Sequence, residues 1–233
     1  PQEAAAAEEA EIDLLLVPPL SELPNIRKAA SKTFMTVSIP FIKHYSKENI
    51  IKKSFEVLET GADSLHCGSW NLNFMKHLFE FKIPFQGHAG LVPRKSTWIG
   101  GVKAFGKTFE EAVQLYKDIK EIESTGAWGV EIECVPSALV NEITKKTNMI
   151  TISIGSGNRS DAQFLFAEDI LGCGSIKMPR HAKQYRNFNR IYENLQKERI
   201  KAFKEYKLDV VNNKFPSSKH SIKIDKKEID NFK

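Results

Sequence analysis

Cysteine is scarce in this chain of 233 residues: Cys67, Cys134 and Cys173 are all it has, and none forms a CxxC pair. An odd, widely spaced set argues against a disulfide framework, so reduced thiols in a cytoplasmic setting are expected. Long apolar runs are missing too. No stretch approaches the roughly 18 residues that a membrane-spanning helix needs, and no membrane partner is expected. A leader of the basic, apolar, small-residue type does not open the sequence. No G-x-G-x-x-G follows an apolar run, and Gly155-Ser156-Gly157 is too short to be a dinucleotide fingerprint. Basic residues interleaved with aromatics are also lacking. The net charge is +5, but the basic residues crowd from Lys177 through Lys233. That pattern reads as a solvated tail, with no nucleic-acid partner expected.

What is present suits one sizeable core. Hydrophobic residues make up 41% and charged residues 27% of the chain. Its length fits a single α/β barrel, which often runs to about 250 residues.

Short apolar runs alternate with stretches of helical periodicity. Strands are predicted at Asp13–Val17, Thr33–Ile39 (closed by Pro40), Ala62–Cys67, Pro84–His88, Trp128–Cys134 and Met149–Ile154. Helices are predicted at Glu3–Glu11, Lys47–Thr60, Asn71–Phe81, Thr108–Thr125, Ser137–Thr147 and His181–Lys207. Thr108 with Glu111 three residues on has the form of a capping box. Alternation of this kind implies βαβ units and a parallel sheet. A closed barrel and an open doubly wound sheet both satisfy it.

In either architecture ligands sit beyond the carboxyl ends of the strands. The polar residues there are Ser38, His66, Cys67, His88, Glu131, Glu133 and Ser153. Glu131 and Glu133 lie two apart in a strand and so share a face. Buried carboxylates are costly unless paired. One reading makes either a general base of raised pKa; the other gives them a buried Lys or Arg partner. His88 stands between Gly87 and Gly90, which permit close approach of ligand or backbone. A zinc site from His66, Cys67, His88 and Glu133 lacks a signature spacing. So does a nucleophilic pair of Cys67 and His88. Gly106-Lys107-Thr108 reads either as a loose phosphate cradle at a helix start or as a plain loop and N-cap.

Several motifs occur in order. They are Gly87-His88-Ala89-Gly90-Leu91-Val92-Pro93, Gly100-Gly101-Val102-Lys103-Ala104-Phe105-Gly106-Lys107-Thr108, Glu131-Ile132-Glu133-Cys134-Val135-Pro136, and Ile154-Gly155-Ser156-Gly157 with Asp161-Ala162-Gln163. Asp169-Ile170-Leu171-Gly172, then Phe215-Pro216 with His220, follow in the same order. Together the series resembles the ketopantoate hydroxymethyltransferase family over about residues 33 to 220.

The resemblance implies a (β/α)8 barrel of the phosphoenolpyruvate mutase and isocitrate lyase superfamily, with C-terminal helices, assembled as a homo-oligomer. No counterpart of the family's first strand is found ahead of Pro1. The expected organisation is one barrel domain over 1–210 and a polar tail over 211–233. The implied reaction moves a one-carbon unit from methylenetetrahydrofolate to a 2-keto acid, with Mg²⁺. Glu133 matches the family's base and His88 its substrate-side histidine. Ser38, His66, Glu131 and Ser153 are the expected substrate-binding residues.

The departures bear on the metal. Val17-Pro18-Pro19-Leu20 stands where the family has one metal aspartate, and Ser38 stands where it has the other. His66-Cys67-Gly68-Ser69 replaces a lysine-glutamate motif, and Glu131 replaces an apolar residue. A hard cation prefers carboxylate oxygens, so a weakened Mg²⁺ site is expected. Two other readings follow: a superfamily lyase or aldolase acting on another 2-keto acid, or a noncatalytic paralogue that assembles with a partner.

Overall fold

The computed structural model describes residues 1–39, 46–68, 72–174 and 177–233, with the backbone alone at Ile99. Pro40, Ser69 and Asn71, named above, lie outside the described residues. Seven strands form one sheet: β1 (Leu14–Val17), β2 (Phe34–Ile39), β3 (Ser64–Cys67), β4 (Phe85–Gly90), β5 (Gly129–Glu133), β6 (Ile150–Ile154) and β7 (Ala162–Gln163). The helices are α1 (Gln2–Glu9), α2 (Leu23–Ala29), α3 (Lys47–Glu59), α4 (Leu72–Glu80), α5 (Phe109–Ser124), α6 (Ser137–Thr144), α7 (Ala167–Leu171), α8 (Phe188–Val211) and α9 (Lys226–Phe232).

All the pairings are parallel, and the strands follow one another in strict sequence order from β1 to β7. A doubly wound sheet reverses its order at a switch point, whereas a barrel does not. Neighbouring strands stand about 4.8 Å apart, so β2 and β5 would be roughly 14 Å apart in a flat sheet. Yet the rings of Phe34, in β2, and Trp128, just before β5, lie 5.7 Å apart edge to face. Trp128 Nε1 also donates to Ser64 Oγ of β3 at 2.7 Å. The sheet is therefore curled into a (β/α) barrel that lacks full closure: among the described residues no ladder joins β7 to β1.

Register sorts the side chains into two faces. Met35, Val37, Leu65, Cys67, Phe85, Val130 and Ile132 face outward and belong to the buried core. There they join helix residues such as Ile50, Met75, Leu78, Leu115, Ile119, Ile122, Val140 and Ile143. The inward face carries Thr36, Ser38, His66, Gln86, His88, Glu131 and Glu133 instead. The barrel thus keeps its apolar core between sheet and helices, and groups its inward polar residues on β2 to β5, flanked by Leu16 of β1 and Ile152 and Ile154 of β6.

Most predicted elements are present with ends shifted by a residue or two. Two differ more. α6 stops at Thr144 rather than Thr147, because the backbone is diverted: Asn148 N–H donates to Glu123 Oε1 at 2.7 Å. α8 begins at Phe188 rather than His181, where the Asn187 side chain caps the Arg190 N–H, and it runs on to Val211. Beyond it the chain forms a 3-10 turn at Ser218–His220 and then α9. The described residues divide into two compact units, Pro1–Ala167 with Pro179–Ala182, and Glu168–Met178 with Lys183–Lys233. No described helix is long and apolar enough to cross a membrane.

Ile119 is fully buried on α5. Truncating Ile119→Ala should cost about 2–5 kcal/mol, because the close-packed site refills poorly. Urea unfolding with an unchanged slope checks this; a loss below about 1 kcal/mol would mean the helix is not packed on the sheet as described.

Candidate active site

The Gly87-His88-Ala89-Gly90 stretch forms the carboxyl half of β4, and its glycines serve the backbone rather than a ligand. A side chain on Gly87 would place Cβ 2.5 Å from Ile122 Cγ2, so glycine lets α5 settle against the strand. Gly90 has φ +80°, and a Cβ there would stand 2.4 Å from the Glu133 carbonyl oxygen. The chain can therefore turn across the end of β5, where Leu91 N–H donates to that same carbonyl at 2.9 Å. Ser156 ties down the other side: its hydroxyl donates to Ile132 O at 2.8 Å and accepts from Val135 N–H at 2.9 Å. Glu133 is thus held on a fixed strand end.

Four predicted residues meet on the inward face. His88 Nε2 lies 3.0 Å from Glu133 Oε2 and 3.6 Å from Glu131 Oε1. His66 Nε2 lies 3.1 Å from Glu131 Oε2. That contact is an ion-pair distance without the alignment of a hydrogen bond, since His66 Nε2 has no hydrogen-bond partner. The two imidazoles are 5.6 Å apart by ring centroids. Ser38 joins at the edge, with Oγ 3.4 Å from His66 Nδ1. His66, His88 and Glu131 are all buried.

Among the described residues the carboxylates pair with histidine and not with Lys or Arg. Burial alone would push the Glu131 carboxyl up, but His88 and His66 outweigh it and hold it below the ordinary range. Glu131 is therefore not a base of raised pKa. Burial likewise opposes charge on His88, and Glu131 and Glu133 overcome it to raise the imidazole above its usual value. The cluster is a buried network in which His88 and Glu131 favour each other's charged form.

Ser153 is not part of it. Registered with Ile132, it faces away from Glu131 and Glu133, and its hydroxyl donates to Gly157 O at 2.8 Å. Cys67 also faces outward, fully buried in the core, where burial drives its thiol pKa well up. This removes both the Cys67–His88 nucleophile pair and the zinc set containing Cys67. The phosphate reading of Gly106-Lys107-Thr108 falls as well, since the Gly106 and Lys107 amides donate to Glu111 Oε2 at 3.1 and 2.9 Å. The cysteines are free thiols.

Sequence reasoning missed Thr36 and Gln86. Both are buried on the inward face, and Thr36 Oγ1 and Gln86 Oε1 have no hydrogen-bond partner among the described residues. Their signal was a polar residue at every second position of an otherwise apolar strand.

The inward residues do not fit Mg²⁺. Ser38 offers a hydroxyl where a carboxylate is needed, and each carboxylate on this face is paired with imidazole.

The network's contribution to stability has a defined pH window. A raised His88 stabilises fully below the ordinary imidazole value of 6.5, and that contribution fades as pH rises through its higher folded value. A lowered Glu131 stabilises fully above the ordinary 4.5, and that contribution fades as pH falls through its lower folded value. The stability gap between wild type and Glu131→Gln should therefore be widest between these limits and narrow on both sides. Urea unfolding across pH checks it; a pH-independent gap would mean the pairing is not ionic.

Comparison with known proteins identifies the family. A family model described as ketopantoate hydroxymethyltransferase matches residues 20–218. The 3-methyl-2-oxobutanoate hydroxymethyltransferase of Clostridium botulinum (strain Alaska E43 / Type E3) is 34% identical over 209 residues, covering 88% of this chain and 74% of that one. Its counterpart in Kosmotoga olearia (strain ATCC BAA-1733 / DSM 21960 / TBF 19.5.1) is 30% identical over 237 residues, covering 92% and 86%. Among solved structures, a putative phosphonomutase from Burkholderia cenocepacia J2315 superposes with a TM-score of 0.54 over 87% of this chain and 89% of that one; at 9% identity this speaks for the fold alone. Sequence and fold together show that the chain belongs to the ketopantoate hydroxymethyltransferase family and is a hydroxymethyltransferase-like enzyme.

Proposed function

We infer that the protein transfers a hydroxymethyl unit from methylenetetrahydrofolate to a 2-keto acid through an enolate, with Glu133 as the base. The supporting observation is the 3.0 Å contact between Glu133 and His88 at the carboxyl end of the curled sheet, where barrels of this kind bind ligands. With 3-methyl-2-oxobutanoate as acceptor, Glu133 takes the proton from C3. The electron pair left behind forms the C2–C3 double bond, and charge moves onto the keto oxygen. The raised His88 supplies positive charge on this face to stabilise that oxygen. Water adds to the methylene carbon and its bonds to the two folate nitrogens break, releasing tetrahydrofolate; C3 then bonds to the formaldehyde-level carbon so formed, whose oxygen takes the proton held by Glu133 to become the new hydroxyl. His66 stands where the family keeps a lysine, and it serves to hold the substrate carboxylate together with Ser38. The product belongs to pantothenate biosynthesis.

The Glu131–His66 contact of 3.1 Å favours a second reading. It occupies charge that a lysine would offer to the acceptor, so the acceptor is a 2-keto acid whose shape or charge differs from 3-methyl-2-oxobutanoate. Exposed apolar side chains on α8, among them Ile191, Leu195 and Phe203, support work as a homo-oligomer.

Glu133→Gln should slow deuterium exchange at C3 of 3-methyl-2-oxobutanoate by about 10²–10⁴-fold, the usual contribution of a positioned base. Proton NMR in deuterated buffer reads this directly. Wild-type protein that exchanges no C3 proton of any 2-keto acid tried, with or without added metal, removes the enolate reading.

A further inference from the structure

We propose that His66, His88 and Glu131 form a binding site for a divalent transition ion, with zinc the best fit to their spacing. The ligand atoms of these three buried residues all lie within 4.8 Å of one another. Glu131 bridges the histidines, with Oε2 3.1 Å from His66 Nε2 and Oε1 3.6 Å from His88 Nε2. Ligands about 2.0–2.1 Å from a tetrahedral ion stand roughly 3.3–3.4 Å from each other. The two histidine–carboxylate separations, measured to the two oxygens of Glu131, bracket that value, and the histidine nitrogens, within 4.8 Å of each other, would close on a bound ion.

A second observation points the same way. His66 Nε2 is buried and has no aligned hydrogen-bond partner, although a carboxylate oxygen stands 3.1 Å away. A nitrogen placed for an ion between itself and the carboxylate has this geometry. Metal-binding imidazoles also need outer partners that fix the ring. His66 Nδ1 has Ser38 Oγ at 3.4 Å, and the Leu91 backbone hydrogen-bonds the ring of His88.

Donor chemistry selects the ion class. Nitrogen from imidazole together with one carboxylate suits zinc or iron(II), whereas Mg²⁺ prefers a shell of oxygens. Three protein ligands leave a coordination position free, as catalytic zinc sites do, and Glu133 lies next to it through its contact with His88. The three donors come from β3, β4 and β5, whose inward faces meet at this point.

The inference is independent of the transfer reaction, because it is read on the resting protein. The full chain is stripped with chelator and titrated with Co²⁺, followed by visible absorption, then challenged with Zn²⁺ and with Mg²⁺. One Co²⁺ per chain is expected, displaced by equimolar Zn²⁺ but not by about a hundredfold excess of Mg²⁺. Glu131→Gln and His66→Lys should each weaken uptake by more than about a hundredfold; Ser38→Ala, an outer partner, should weaken it by about 10–100-fold or less. Stoichiometric Zn²⁺ should also raise the thermal midpoint of the wild type, a readout that needs no variant to fold. Wild-type protein with no Co²⁺ uptake and no Zn²⁺ shift overturns the site, as does equal uptake by folded Glu131→Gln. Stoichiometric uptake without C3 exchange supports the metal site and sinks only the transfer reading; exchange without uptake does the reverse.

Discussion

A carboxylate inside a curled parallel sheet must find compensating charge on the same face, and Glu131 finds it in His88, with the His66 imidazole 3.1 Å away on its other side. An unpaired buried charge would cost far more than any single contact returns. Pairing holds only because the sheet curls: His66 on β3 and Glu131 on β5 are separated by a whole strand, yet their side chains meet at 3.1 Å. The network and the curvature therefore depend on each other. The apolar faces of β2 to β5 are given to the helices, which leaves the interior to polar groups and puts strong electrostatics where a substrate would sit.

That arrangement gives the two glutamates different work. Glu131 is deep, pinned between imidazoles and held ionised. Glu133 sits one pleat further toward the strand end, in contact with one histidine and fixed by backbone bonds on either side. A reacting carboxylate needs fixed position together with access, and Glu133 has both. Glu131 instead favours the charged form of His88 beside it. The barrel depends on core residues such as Leu65, Phe85, Ile119 and Ile132, which pack between sheet and helices on the face away from the site.

Much of this was legible beforehand. The alternation of apolar runs and helical stretches gave the parallel α/β class, and motif order from Gly87 to Gln163 gave the family. His88, Glu133, His66, Glu131 and Ser38 were all named from their places at strand ends, and they meet. Ser153 was named on the same logic and faces the other way, because a strand's period of two is visible but which parity points inward is not. Cys67 carries the same lesson. Thr36 and Gln86 went unnoticed since a single polar residue in a strand looks ordinary until its buried face is known.

By itself, then, the sequence determined the elements, the family and the short list of polar residues at strand ends, because periodicity and motif order are local properties of the chain. The pairing of His66 with Glu131 across an intervening strand, the lowered Glu131 and raised His88, and the outward facing of Ser153 were decided only by the tertiary structure. Each depends on sheet register and curvature, and these arise from packing all the strands and helices together rather than from any one segment.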